Sequence, residues 1–118
     1  GARGVIVSNH GGRQLDGAPS SIDQIASVRE ALGDGPDVIC DGGVRRGSDI
    51  VKALALGATA CSIGRPYLYG LAAGGEAGVA RALRLLRDEF ERTLALAGVP
   101  DIKSLARRHI RHRYRQAD

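Results

Sequence analysis

The run Ser8-Asn9-His10-Gly11-Gly12-Arg13-Gln14-Leu15-Asp16 sets a histidine and an arginine on either side of two glycines. Histidine is the side chain best suited to accept a proton near neutral pH. Arginine offers a planar fork that matches a carboxylate with two parallel hydrogen bonds. Base and clamp together point to chemistry on a small organic acid. A solvated histidine in a glycine turn would be the simpler reading if this run stood alone. It is preceded by Val5-Ile6-Val7, which reads as a strand buried on both faces, so the histidine is released at a strand end.

A second run, Asp41-Gly42-Gly43-Val44-Arg45-Arg46-Gly47-Ser48-Asp49, lies between a strand at Val38-Ile39-Cys40 and a helix from Asp49 to Leu56. Glycines let backbone approach a ligand, and amides at a helix start attract phosphate. Arg45 or Arg46 would add charge-assisted bonds. The pattern then repeats: Thr59 to Ile63 reads as a strand, and Gly64-Arg65-Pro66 opens another helix. Two consecutive strand ends, each followed by glycine and arginine, describe the phosphate site found after strands 7 and 8 of a (β/α)8 barrel.

These residues resemble the FMN-dependent α-hydroxy-acid oxidase and dehydrogenase family, which includes glycolate oxidase, lactate oxidase, lactate 2-monooxygenase and L-lactate dehydrogenase. Ser8 to Gln14, Asp41 to Gly47, Lys52 to Ala58 and Gly64-Arg65-Pro66 follow the family's order and spacing, and the likeness runs from about Gly1 to near Gly98. The resemblance implies oxidation of an L-2-hydroxy acid, lactate- or glycolate-like, to the 2-oxo acid. It implies His10 as the catalytic base in contact with the substrate hydroxyl, Arg13 on the substrate carboxylate, and Ser8 against the flavin. Asp41, Gly42, Gly43, Val44 and Arg45 would hold the ribityl chain and phosphate of FMN, with Gly64 and Arg65 completing the phosphate site. Arg46 admits two readings, a phosphate contact or a surface arginine at a helix start.

The resemblance leaves the electron acceptor open among oxygen, quinone and cytochrome. Gly12, where several oxygen-using relatives carry alanine, tilts toward the dehydrogenase or monooxygenase branches. Tyr67-Leu68-Tyr69-Gly70-Leu71 resembles lactate-handling branches, although packing the start of the last helix is the plainer role for Tyr67 and Tyr69. A homo-oligomer, a tetramer, is implied for the full-length parent.

The fold class implied is α/β, the C-terminal part of a (β/α)8 TIM barrel, about strands 6 to 8 and their helices. Such a barrel takes about 250 residues, and this chain has 118 with no methionine. The expectation is a fragment: residues 1–118 as the C-terminal portion of one FMN hydroxy acid dehydrogenase domain, with 99–118 a basic helical tail. Part of a barrel exposes sheet edges and an interior face that call for cover. The family's upstream lysine, its substrate-contacting tyrosines and the aspartate that orients the base have no counterpart here, so the fragment alone is expected to be inactive. Two alternatives stand beside this reading, a non-catalytic truncated product and a non-flavin phosphate-binding TIM-barrel enzyme. Ser8-Asn9-His10 with Arg13 argues against the second.

The elements that must position these residues are legible. Ser20 with Asp23 suggests a capping box ahead of a helix carrying Ile22, Ile25, Val28 and Leu32 on one face and stopping at Gly33. Ser48 is the expected cap of the next helix, which turns Ile50, Val51 and Leu54 inward and stops at Gly57. A longer helix from about Glu76 to Leu96 carries Val79, Leu83, Leu86, Phe90 and Leu94 as its apolar stripe.

Cys40 and Cys61 fall in predicted neighbouring strands, outside any metal spacing, and read as buried thiols in a reducing interior. No signal peptide or membrane-length apolar run is present. The expected location is cytoplasmic, with membrane association as the alternative; in a fragment the absence of a signal peptide says nothing about targeting. Net charge is +4, and much of it comes from Arg107 to Arg115. That run lacks interleaved aromatics beyond Tyr114. It reads as a solvated helix or subunit contact, with no nucleic-acid partner. His109 and His112 supply two potential metal ligands without a third, and no metal is expected.

Overall fold

The computed structural model describes residues 1–112. Its three apolar runs form strands β1 (Gly4–Ser8), β2 (Asp37–Asp41) and β3 (Ala60–Ser62). Helices α1 (Ser21–Leu32) and α2 (Gly47–Ala55) cross back between them, so the sheet is parallel, in the order β1-β2-β3. Val7 pairs with Cys40, and Cys40 with Cys61; one residue on, Ser8 pairs with Asp41 and Asp41 with Ser62. Because side chains alternate along a strand, these two rows face opposite sides of the sheet. Val5, Val7, Val38, Cys40 and Cys61 pack with Ile25 and Ala53 beneath the helices.

The helices cover one face only. Ile6 is 65% exposed, so β1 is not buried on both faces as its apolar run suggested. The other face carries Ile6, Ile39, Ser8, Asp41 and Ser62, and its strand ends frame the candidate site.

Helix α1 begins and ends as expected. Ser20 is its N-cap, but the hydroxyl donates to Asp23 Oδ2 at 2.6 Å instead of accepting a backbone N–H. Gly33, at φ 66°, closes the helix by donating to the Arg29 carbonyl. Ile25 is fully buried, and Ile22, Val28 and Leu32 pack beside it. Helix α2 departs from expectation at its start. It begins at Gly47, and Asp49 Oδ2, not Ser48, accepts the amides of Arg45 and Arg46 at 3.1 and 3.0 Å.

Helix α3 (Arg65–Leu96) breaks at Gly74 and Gly75, where Gly75 adopts φ 54°. Its two arms, 65–73 and 76–96, fold against each other so tightly that a Cβ on Gly70 would lie 2.6 Å from the Gly78 carbonyl oxygen. Along the second arm Leu86 and Leu94 are buried, and Leu94 joins Val51 and Val99 in a second cluster. Leu83 is 50% exposed and drops out of the expected stripe. The tail also differs. In place of a helix it shows two three-residue turns, Ile102–Ser104 and Arg107–His109, separated by extended backbone at Leu105 and Ala106. Asp101 caps the first turn through Ser104 N at 2.8 Å. The expectations for Arg113, Tyr114 and Arg115 lie outside the described residues.

Candidate active site

Beyond β1 the chain enters a tight turn at His10–Gly12. Gly11 and Gly12 take φ 69° and 73°, and His10 itself sits at φ 53°, the one positive-φ residue other than glycine among the described residues. A side chain with a Cβ is held in that region only when its surroundings insist. The Ser8 hydroxyl accepts the His10 amide at 3.0 Å, and the Asn9 carbonyl accepts Gly12 N at 2.9 Å. The Ser8 hydroxyl also donates to Asp41 Oδ2 at 2.5 Å, so the end of β1 is tied to the end of β2.

The loop after β2 turns through Gly42 and Gly43 at φ 97° and 79°. Gly42 has a φ that other residues rarely adopt, and a Cβ there would fall 2.7 Å from Asn9 Oδ1. That oxygen is buried and makes no hydrogen bond. Gly43 and Gly64 border open space, leaving their backbone accessible to a ligand. From the start of α3, Arg65 Nη2 donates to the Gly11 carbonyl at 3.1 Å and so joins the third strand end to the histidine turn.

One cleft of about 530 Å³ collects these pieces. His10, Arg13, Asp41, Gly42, Gly43, Val44, Arg45, Gly64 and Arg65 all line it. Ser8 does not, and acts from beneath through Asp41 and His10. Three arginines against one carboxylate make the cleft electropositive, suited to a phosphate at one end and a carboxylate at the other. Its further wall holds Ser62, Pro66, Leu68 and Tyr69. Tyr69 is 69% exposed and borders the cleft instead of packing the helix start. The signal for these residues was their place, since the last residue of a strand and the first turn of the following helix flank the same opening.

Arg46 is not part of the cleft lining; its Nη1 lies 3.8 Å from Glu89 Oε1. The start of α2 also differs from a free anion site. The amides of Arg45 and Arg46 bond Asp49, and that of Gly47 bonds Glu89 Oε2 at 2.9 Å. Donors for an anion are thus the Arg45 and Arg65 side chains and the open backbone at Gly43 and Gly64. Beneath the cleft, contact with the Cys61 thiol lowers Cys40, against burial and the nearby Asp41. The same contact, with burial, raises Cys61 far above the ordinary thiol range.

Residues 1–112 match the family model described as FMN-dependent dehydrogenase. The chain belongs to the FMN-dependent dehydrogenase family. A peroxisomal (S)-2-hydroxyacid oxidase of Arabidopsis thaliana is 53% identical over 111 residues, which are 94% of this chain and 31% of that protein. Glycolate oxidase of Spinacia oleracea is 54% identical over 110 residues, 93% of this chain and 30% of that one. Among solved structures, the monotopic membrane protein (S)-mandelate dehydrogenase superposes with TM-score 0.90 at 55% identity, covering 94% of this chain and 29% of that one. The chain therefore spans about a third of the length of the relatives it matches. FMN is the cofactor of this family, and the cleft fits its phosphate end: two arginines and exposed glycine backbone converge there. Among the described residues no helix is long and apolar enough to cross a membrane, and no three His, Cys, Asp or Glu side chains gather to hold a metal.

Proposed function

We propose that this chain is the C-terminal portion, about strands 6 to 8, of a (β/α)8 barrel that uses FMN to oxidise an L-2-hydroxy acid to the 2-oxo acid. The observation that carries this reading is the convergence of His10, Arg13, Arg45 and Arg65, from three separate strand ends, on one electropositive cleft. Arg45 and Arg65, with the backbone of Gly42, Gly43 and Gly64, bind the phosphate. Asp41 and Val44 border the ribityl chain, and Ser8 fixes Asp41 close to the flavin.

Arg13 holds the substrate carboxylate through its fork and so fixes which carbon faces the base. His10 takes up a proton as the hydroxyl carbon becomes a carbonyl, its backbone pinned by Ser8 at the orientation this needs. Bound FMN would supply the acceptor for the two electrons and the second proton released. Leu68 and Tyr69 form an apolar wall suited to the substrate's side chain, which makes glycolate-, lactate- and mandelate-like acids the substrates to compare. The final electron acceptor is oxygen, a quinone or a cytochrome. The parent is a tetramer, cytoplasmic or membrane-associated, and two thiols in contact with no disulfide between them fit a reducing compartment.

The open sheet face with Ile6 exposed favours a second element of this reading. Catalysis belongs to the longer protein, and the 118-residue chain alone is inactive. The test is an FMN titration of the chain and of the full-length protein, followed by flavin fluorescence. Arg45→Ala and Arg65→Ala are expected to weaken FMN binding by at least about tenfold each, the loss of one charge-assisted bond. His10→Gln in the full-length protein is expected to abolish bleaching by L-2-hydroxy acid while FMN stays bound. Unchanged FMN affinity in both arginine variants would overturn the assignment of the phosphate site.

A further inference from the structure

Loop 42–46 is held at its far end by a residue of another helix. Glu89, on the second arm of α3, accepts the Gly47 amide through Oε2 at 2.9 Å and faces Arg46 Nη1 through Oε1 at 3.8 Å. The contact is close because Gly47 is buried against the α3 backbone; a Cβ there would collide with Phe90 N and lie 2.5 Å from the Leu86 carbonyl oxygen. With Asp49 on the two preceding amides, the start of α2 carries two carboxylates and has no amide left among these three for an anion. Phosphate recognition then depends on how Arg45 is presented. Arg45 lines the cleft and its neighbour Arg46 does not.

We propose that Glu89 is a positioning residue for phosphate recognition: by holding the Gly47 amide and drawing Arg46 outward, it sets the loop so that Arg45 faces the cleft. This rests on the FMN reading above. The Arg46 contact is solvent-exposed and weak, so the amide bond carries most of the effect. Glu89 and Arg65 belong to the two arms of one broken helix, so the same element fixes both arginines of the phosphate site.

The test compares FMN with riboflavin, which lacks the phosphate, by fluorescence titration of the full-length protein. Glu89→Ala is expected to weaken FMN about tenfold and leave riboflavin within twofold. Glu89→Gln keeps an acceptor for Gly47 and is expected to restore FMN affinity to within threefold of wild type. Equal weakening of both flavins would mark Glu89 as merely structural and overturn the proposal, as would no weakening of either. Should Glu89→Ala fail to fold, Arg46→Ala decides: a loss under threefold is expected, and a tenfold loss specific to FMN would overturn the proposal by putting Arg46 on the phosphate. Wild-type protein that bound both flavins equally would overturn the phosphate reading itself, and this proposal with it.

Discussion

Replacing Ser8 with alanine asks whether the end of β1 sets the base. Its hydroxyl accepts the His10 amide at 3.0 Å and donates to Asp41 Oδ2 at 2.5 Å. Holding His10 at φ 53° costs about 1–2 kcal/mol relative to ordinary backbone. A hydrogen bond to a half-buried hydroxyl contributes about 1 kcal/mol net. The two terms nearly cancel, so this one bond decides whether the left-handed turn dominates. Losing it moves the balance by about 1–1.4 kcal/mol, which from near-equal populations lowers the competent one, and kcat with it, by about three- to sixfold. The assay is stopped-flow bleaching of the flavin by L-2-hydroxy acid in the full-length protein, with the FMN Kd measured alongside. The expected result is slower bleaching at an FMN Kd within twofold of wild type. Ser8→Thr, which keeps the hydroxyl, should recover most of the rate. Bleaching within twofold of wild type in Ser8→Ala would refute the reasoning. A weakened FMN Kd with unchanged bleaching would instead assign the hydroxyl to the flavin.

Two further outcomes follow from the opposite end of the sheet and from its covered face. Arg29 donates to the carbonyls of Gly57, Gly33 and Pro36 at 2.9, 2.8 and 2.8 Å and to Thr59 Oγ1 at 3.2 Å. Arg29→Ala should therefore cost about 2–3 kcal/mol in urea unfolding and leave the bleaching rate unchanged, because these contacts gather at the strand starts; a loss below about 0.5 kcal/mol would show that water replaces them. The Cys61 thiol is raised above its ordinary range by its contact with Cys40 and by burial, so less of it ionises at pH 9.0 than of an ordinary thiol, which is half ionised there. Since alkylation needs the thiolate, iodoacetamide at that pH should label Cys61 at least about tenfold more slowly in native than in urea-unfolded protein, read by peptide mass. Equal rates would refute the thiol contact.

How much of this was legible depended on whether the cause of a feature was local. Val5 to Val7 and Val38 to Cys40 announced strands because each is a short apolar run closed by polar or glycine residues, and Gly33 announced the end of α1 because φ 66° with ψ −161° suits glycine alone. His10, Arg13, Arg45 and Arg65 stand two to five residues past a strand end, so short loops bring all four to one cleft, and the roles given them rest on the proposal above. Burial of Ile6 was misjudged, since a strand's own sequence does not say how many of its faces are covered. The basic tail was expected to be a helix, yet Asp101 bonds Ser104 N and the backbone turns extended at Leu105, so Val99 and Leu105 pack against Val51 and Leu94 beside short turns. At the start of α2 Asp49 stands next to the expected Ser48, but the carboxylate on the Gly47 amide was beyond local reading for a stronger reason. Glu89 stands 42 residues past the amide it holds, within an Arg-Asp-Glu pattern that any solvated helix would show. The residues that line the cleft sit in the loops just past the strand ends, where short motifs place them. Ser8, which accepts the His10 amide, belongs to such a motif; Glu89 does not, and only the closeness of Gly47 to the α3 backbone connects it to the loop.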